Sequence, residues 1–167
     1  PTFAALRQAN ATLTELAASV PMNSVNVSSD GHAEIATAYL ATGNYHQMLG
    51  VRALRGRTLL PEDDLASAAP VATISEQFWA RRFGSDPEIV GKVLRANDTP
   101  LTIVGVTPAA FTGVQRVIND APDLVMPLAL DRLLTLPGPI YPGGAAQARL
   151  DQPTNWWLQV FGRLKPG

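Results

Sequence analysis

The sequence predicts an α+β fold in which short helices are interspersed with hairpins of a mixed, mostly antiparallel sheet. Two dipeptides typical of tight hairpin turns, Asp30-Gly31 and Asn97-Asp98, each lie between runs rich in apolar and β-branched residues. Several other apolar segments stop at a glycine or a proline after a few residues, which limits the helices to short ones. Short helices mixed with hairpins are typical of the α+β class.

The composition fits one domain, or two small lobes that share a sheet. The chain has 167 residues and 46% hydrophobic content, which is enough for one sizeable core. Thirteen Lys and Arg residues are scattered and nearly balanced by 14 Asp and Glu residues, so we expect no nucleic-acid partner. The absence of cysteine excludes disulfides and thiolate chemistry but leaves the compartment open. No window approaches a membrane span, so we expect this stretch to be soluble, with both ends resembling boundaries within a longer protein.

The N-terminal part is predicted to contain one helix followed by a hairpin. Apolar residues recur at spacings of three, four and seven, which predicts an amphipathic helix from Phe3 to Ser19, with Thr2 as its cap and Pro21 after its end. The segments Val25 to Ser29 and Ala33 to Leu40 then form the two strands of the first hairpin.

The middle of the chain is predicted to alternate between short helices and strands. Glycines and capping residues set most of the boundaries. The predicted elements are a helical turn at Asn44 to Leu49 closed by Gly50, a strand at Val71 to Ile74, a helix capped by Ser75 and running through Phe83 to Gly84, and a turn from Asp86 to Gly91.

The C-terminal part begins with the second hairpin. Its later elements are less regular, and Pro127 favours an edge position for the strand that contains it. The predicted elements are strands at Val93 to Ala96 and Leu101 to Val106, an edge strand or extended segment at Leu124 to Leu128, a short helix near Ala129 to Leu134, a long loop at Pro137 to Pro153, and a strand at Trp157 to Leu164.

No set of residues predicts catalysis, a cofactor or a metal. The chain has two histidines and no Gly-x-Ser-x-Gly elbow; His32 lies in a predicted turn, and a surface or packing role is favoured for His46. Neither histidine has a second ligand at helical spacing to begin a zinc site. The cluster Glu62-Asp63-Asp64 lacks the oxygen spacing of a calcium loop, which favours a solvated turn or helix start. We therefore assign no catalytic, cofactor-binding or metal-binding residues, and no glycine-rich phosphate loop is present.

Three groups of residues raise the alternative of ligand binding. Arginines around Gly56 could form an anion clamp, Arg81-Arg82 beside Trp79 could stack on a ligand, and Trp156-Trp157 could form an aromatic platform. Structural roles are favoured for the arginines, and at least one of the two tryptophans should face the core because successive strand residues point in opposite directions. A stand-alone extracytoplasmic ligand-binding module, using the Trp156-Trp157 loop, remains an alternative function for the chain.

The order of several short segments resembles the periplasmic core domain of MacB/FtsX-type ABC transporter permeases, in particular the large permeases of Acidobacteria. Each segment alone is weak, but together they cover most of the chain in the family's order. The segments are Thr42-Gly43-Asn44-Tyr45-His46-Gln47-Met48-Leu49-Gly50-Val51, Gly56-Arg57, Pro61-Glu62-Asp63-Asp64, Pro70 to Ser75, Phe78 to Gly84, Asp86 to Gly91, Thr102 to Val106, Phe111 to Val114, Pro122-Asp123-Leu124, Met126-Pro127 and Gly162 to Gly167.

The resemblance implies a non-catalytic extracytoplasmic domain of a bacterial inner-membrane permease, located in the periplasm. It implies transmembrane helices before Pro1 and after Gly167, a second permease copy and a cytoplasmic ATPase as partners, and a periplasmic adaptor protein as a further candidate partner. The domain would transmit ATPase-driven helix motion to substrate export or to envelope partners. The family's domain has two lobes, so we expect residues 51 to about 136 to form largely an inserted lobe. No cofactor is implied.

Overall fold

The computed structural model describes residues 2–29, 31–114, 121–134 and 157–165. Within these ranges the chain forms eight strands, three short α-helices and two 3-10 helices. The elements are α1 (Thr2–Ala9), β1 (Leu13–Ser29), β2 (His32–Ala41), α2 (Tyr45–Met48), β3 (Arg55–Gly56), a 3-10 helix (Pro61–Asp64), β4 (Val71–Ser75), α3 (Glu76–Phe83), β5 (Val93–Ala96), β6 (Thr99–Thr107), β7 (Leu124–Pro127), a 3-10 helix (Leu128–Arg132) and β8 (Gln159–Leu164).

The strands form one sheet in the order β2-β7-β4-β6-β5-β1-β8, with β3 attached to β6. Because β1 also pairs with β2, the strands from β2 to β1 close into a ring. Among the described residues the pairs β2–β7 and β4–β6 are parallel and the other pairs are antiparallel. The predicted mixed, mostly antiparallel α+β fold is therefore confirmed.

The predicted helix from Phe3 to Ser19 is wrong beyond its first half, because α1 ends at Ala9 and β1 begins at Leu13. The Asn10 side chain turns the chain between them: its Oδ1 accepts the Leu13 N–H at 2.9 Å and its Nδ2 donates to the Leu13 carbonyl at 2.9 Å. Residues 16–20 are all buried. A strand covered on both faces shows a continuous apolar run instead of alternation, and such a run also fits a helical pattern.

Both predicted hairpins are present. In the second one, Asn97 and Asp98 have φ angles of 43° and 68°, the left-handed conformation that a two-residue turn of this type requires. Asn97 also fastens the turn to β1, since its Oδ1 accepts from the Asn26 N–H at 3.0 Å and its own N–H donates to the Asn26 carbonyl at 2.9 Å. The register of the first hairpin places Ser29 opposite His32.

Leu124 to Leu128 is predicted as an edge strand or an extended segment, and the edge position is wrong because β7 lies between β2 and β4. All residues of β7 are buried. Pro127 is tolerated because it is the last residue of the strand, where the missing N–H interrupts no continuing ladder.

The apolar residues form two clusters. The larger one lies under α3, which is capped by Ser75 Oγ accepting from the Phe78 N–H at 3.1 Å and which buries Phe78 and Trp79. The smaller one surrounds α2 and includes Tyr39, Tyr45 and Leu59. This second cluster is what positions the candidate site.

The predicted loop at Pro137 to Pro153 lies outside the described residues. The predicted inserted lobe at residues 51 to about 136 stays a prediction; β4, β6 and β7 from that stretch share their sheet with β1 and β2.

Candidate functional site

The first half of β1 and all of β8 form an antiparallel pair that we call the terminal ribbon, residues 13–19 with 159–164. Its register places Leu13 opposite Leu164 and Ser19 opposite Gln159. The Nζ of Lys165 donates to the Ala11 carbonyl at 2.6 Å, which extends the pairing beyond the strands. The start of β1 and the end of β8 therefore lie side by side at one edge of the sheet.

A buried polar network connects the terminal ribbon to the segment that enters α2. Asn44 Nδ2 donates to the Leu16 carbonyl at 3.0 Å, and Asn44 Oδ1 accepts from Thr42 Oγ1 at 2.9 Å. The Thr42 hydroxyl in turn accepts from the Ala18 N–H at 3.2 Å, and the Thr42 N–H donates to the Ala18 carbonyl at 2.9 Å. Because these groups are buried, each bond replaces a lost bond to water and fixes α2 against β1.

A second connection runs from β8 to the other end of α2. The Arg163 guanidinium donates to the Met48 carbonyl, one of the carbonyls at the end of α2 that lack a partner within the helix. Beside this contact lies a groove of about 620 Å³ with a largely apolar lining. The lining residues are Met48, Leu49, Val114, Gln159, Val160, Phe161, Gly162 and Arg163.

Four rings pack together where α2 meets β8. The Tyr45 ring lies 5.7 Å from Phe161 and 5.9 Å from Phe111, and the His46 ring lies 5.3 Å from Phe111, all measured between ring centroids. Both Tyr45 and His46 are completely buried. Burial raises the pKa of the Tyr45 hydroxyl to about 12 and lowers the pKa of His46 to about 4. At neutral pH both groups are uncharged.

The approach to α2 is fixed by a close backbone contact at Gly43. A Cβ atom on this residue would lie 2.1 Å from the Leu60 carbonyl oxygen, so only glycine fits without a shift of the backbone. Nearby, Asp64 Oδ1 accepts from the Ala129 N–H at 2.8 Å. Burial raises the pKa of Asp64 to about 6, although N–H groups including those of Ala129 and Gly43 oppose this shift.

The predicted acidic cluster forms a structural contact. Arg57 binds Asp63 through two hydrogen bonds of 2.6 Å and 2.9 Å, so Arg57 is already engaged with a carboxylate of its own chain. Arg52 and Arg55 are exposed. In the part of the chain that the structure describes, no three His, Cys, Asp or Glu side chains come together in a way that could hold a metal ion.

The arginines of α3 also bind the protein itself. Arg81 pairs with Asp123 at 3.1 Å, and Arg82 donates to the carbonyls of Ser29 and His32 at 2.9 Å and 2.8 Å. These bonds attach α3 to the first hairpin and to the start of β7, in agreement with the structural role predicted for these arginines.

The predicted aromatic platform is described only in part. Trp156 lies outside the described residues, and Trp157 is half-buried and packs against the larger core cluster. His32 is exposed in the first hairpin. The two histidines are not in contact, because His32 is exposed and His46 is buried among other rings.

Sequence reasoning misses the two residues that matter most at this site. The sequence places Asn44 only in a helical turn, and it does not reveal that His46 is completely buried. A polar Thr-Gly-Asn sequence directly after a long apolar strand is a usable signal for a buried polar turn, because small polar side chains readily bond to nearby backbone.

Solved structures similar to this chain come from transporter proteins. The periplasmic region of MacB from Actinobacillus actinomycetemcomitans has a TM-score of 0.62 and 18% identity, covering 79% of this chain and 56% of that structure. The extracellular domain of the noncanonic ABC-type transporter YknZ from Gram-positive bacteria has a TM-score of 0.59 and 17% identity, covering 75% and 60%. A domain of a permease protein from Porphyromonas gingivalis has a TM-score of 0.65 and 19% identity, covering 98% and 61%. The likeness shows a shared fold, and the chain spans about three fifths of the length of these structures.

The family comparison covers the chain more completely. No curated protein matches it. Within the described residues, no helix has the length and apolar character needed to cross a membrane. The family model of the MacB-like periplasmic core domain matches residues 1–167. The chain therefore belongs to the family of MacB-like periplasmic core domains, the extracytoplasmic domains of ABC transporter permeases.

Proposed function

We propose that this domain is a non-catalytic element that transmits ATPase-driven motion of transmembrane helices to substrate export or to partners in the cell envelope. In the full permease, the helices that flank the domain would move when a cytoplasmic ATPase binds and hydrolyses ATP. The domain would then move with them outside the membrane. Its expected partners are those helices, a second permease copy and the ATPase, with an adaptor protein as a further candidate.

The terminal ribbon is the observation that carries this proposal. Because Leu13 lies opposite Leu164, the chain enters β1 and leaves β8 at one edge of the sheet. A displacement applied at that edge acts on two hydrogen-bonded strands at once. The inter-strand hydrogen bonds of the pair join the two strands along their length, so we expect the displacement to move them together.

The connections to α2 carry the displacement onward into the sheet. The bonds of Asn44 to Leu16 and of Arg163 to Met48 hold α2 on both strands of the terminal ribbon. The strand β1 continues through Ser29 and pairs with β2 and β5, so the ribbon and the closed ring of strands share one uninterrupted strand. A shared strand and buried polar bonds favour rigid-body movement of the described residues.

The chemistry of the described residues supports a role without bond-making. His32 is exposed in a hairpin, while His46 is completely buried and its ring nitrogens contact no nucleophile of the described chain. A nucleophile and a base within hydrogen-bonding reach of one another are the minimum for hydrolytic catalysis, and neither histidine provides that pair.

An insertion experiment in the full-length permease tests the proposal. A flexible Gly-Ser insertion after Lys165 should decouple the terminal ribbon from the C-terminal flanking segment, while β8 and the rest of the fold stay intact. We expect transport to fall and ATP hydrolysis to continue. The matched control is the same insertion at Gly31 in the exposed turn of the first hairpin, where nothing lies within 4 Å of a Cβ position and both activities should persist. Unchanged transport with the insertion after Lys165 would refute the proposal.

A further inference from the structure

The His46 imidazole is the least expected group in the interior. It is completely buried, and neither Nδ1 nor Nε2 has a hydrogen-bond partner among the described residues. Buried polar atoms without partners are rare in folded proteins and cost stability. A phenyl ring would fill the same space among Tyr45 and Phe111 without that cost. The position therefore holds an ionisable ring where a purely structural role favours an apolar one.

His46 also lies where α2 contacts its neighbours. It lies in the middle of α2, and its carbonyl accepts from the Val51 N–H at 2.9 Å, which closes the turn after the helix. Its ring lies between Tyr45 on the same helix, which it meets edge to face, and Phe111 from the segment after β6, to which it is tilted by 55°. Through Tyr45 the ring cluster reaches Phe161 of β8. Expelling the ring would open the packing between α2 and the terminal ribbon.

No carboxylate of the described residues is hydrogen-bonded to this ring, so a positive charge on it would lack a direct partner there. The nearest elements carry two tyrosine hydroxyls, and the Arg163 guanidinium lies across the end of α2, where it would repel an imidazolium. The carboxylate of Asp64 is bonded to the Ala129 N–H at the other end of the segment, and Glu15 is the cross-strand neighbour of Arg163. Among the described residues, the titratable and charged groups of the smaller core cluster and of the groove beside α2 are Tyr39, Tyr45 and Arg163. Glu15 lies beside Arg163, and Asp64 lies at the Gly43 end of the segment that enters α2.

We propose that His46 is an acid-sensitive latch: uptake of a proton drives the ring out of the aromatic cluster and releases α2 from the terminal ribbon. The released state keeps the closed ring of strands, because the larger core cluster contains neither α2 nor β8. A domain outside the cytoplasm is exposed to the pH of the surroundings, so acidification is a signal that reaches it directly. The latch would act on the contact between α2 and the terminal ribbon whether or not that contact transmits motion.

The direction of the effect results from linkage. Burial lowers the pKa of His46 to about 4 from an ordinary value of 6.5, so the closed state holds the neutral ring and the open state takes up the proton. The closed state is therefore fully favoured above about pH 6.5, and it loses its advantage as the pH falls from there towards 4. At about pH 4.5 the opening equilibrium should be on the order of 50- to 100-fold larger than at neutral pH.

Hydrogen exchange of the full 167-residue chain tests the latch. The reporters are the amides of Leu49 and Val51, which donate to the carbonyls of Tyr45 and His46. Exchange rates are measured at about pH 7 and about pH 4.5 in the wild type and in His46→Phe. Dividing the wild-type rate by the His46→Phe rate at each pH removes the intrinsic pH dependence of exchange. We expect the ratio to rise on the order of 50- to 100-fold at the lower pH. The control is the Asn97 amide, bonded to the Asn26 carbonyl in the β5–β6 hairpin, whose ratio should not change.

Two outcomes would overturn the proposal: an equal ratio at both pH values, or an equal rise at Asn97, which would mean global unfolding instead of a local release. If His46→Phe does not fold, the wild type alone decides. The chain has only two histidines, so their imidazole NMR signals are easily assigned, with the exposed His32 as reference. Loss of the contacts between His46 and Phe111 in step with protonation supports the latch, and protonation with those contacts intact refutes it.

Discussion

Replacing Asn44 by alanine is the sharpest test of how α2 is held on β1. The substitution removes the donor to the Leu16 carbonyl and the acceptor for the Thr42 hydroxyl, both buried. A lost hydrogen bond costs about 1 kcal/mol, and a buried carbonyl left without a donor adds about 1–3 kcal/mol. We therefore expect Asn44→Ala to lower the free energy of unfolding by about 3 kcal/mol.

Asn10 provides the matched control. Its amide also donates to a β1 carbonyl, that of Leu13, but in a partly buried position, where water can reach the lost bonds. Asn10→Ala should therefore cost about 1 kcal/mol or less. Urea unfolding followed by tryptophan fluorescence measures both variants. With a slope of about 2 kcal/mol per molar urea, Asn44→Ala should shift the midpoint by about 1.5 M and Asn10→Ala by about 0.5 M. Equal shifts for the two variants would refute the argument from burial.

Two further predictions concern the same segment. Gly43→Ala should cost about 2–3 kcal/mol in urea unfolding, because its Cβ would meet the Leu60 backbone, whereas Gly50→Ala, with φ of 72° and open space, should cost about 1 kcal/mol; a larger cost at Gly50 would contradict this. Burial raises the pKa of Asp64 to about 6, above its unfolded value of 3.8, so the folded state takes up this proton first and the contribution of Asp64 to stability grows as the pH falls from about 7 to 4. To remove the effect of His46, both proteins carry His46→Phe. As the pH falls from about 7 to 4, the free energy of unfolding should rise less steeply with Asp64→Asn than without it. Identical slopes would show that Asp64 is not the responsible group.

The parts of the fold that depend on short-range chemistry could be predicted from the sequence. Asn97 and Asp98 tolerate the left-handed backbone that a tight hairpin needs, and they form one. Ser75 caps α3 and Gly84 ends it with a φ of 57°, as the capping rules predict. These signals are local, so they do not depend on which residues pack against them.

The predictions that failed depend on contacts distant in sequence. The first half of β1 resembles a helix until β8, almost 150 residues later, pairs with Leu16 and Ala17. The Leu124 to Pro127 strand is central because β2 and β4 both reach it, which its proline does not reveal.

The candidate site could not be predicted from neighbouring residues for the same reason. The bond from Asn44 to Leu16 spans 28 residues, and the burial of His46 depends on Phe111 and Tyr45 closing around its ring. A histidine on a short helix gives no sign of that in the sequence. The family, in contrast, could be identified, because the order of many weak segments is informative where each one alone is not.

The measurement that most directly tests the central claim is a pair of distances in the full-length permease. The chain has no cysteine, so spin labels can be attached to cysteines introduced at the exposed Gln159 of β8 and Ile35 of β2 without competing thiols from this domain. If the domain transmits motion as a rigid body, the distance between Gln159 and Ile35 within one copy stays constant between the nucleotide-free and ATP-bound states. The distance between the Ile35 positions of the two copies should change. A change within one copy, or no change between the copies, would contradict the account.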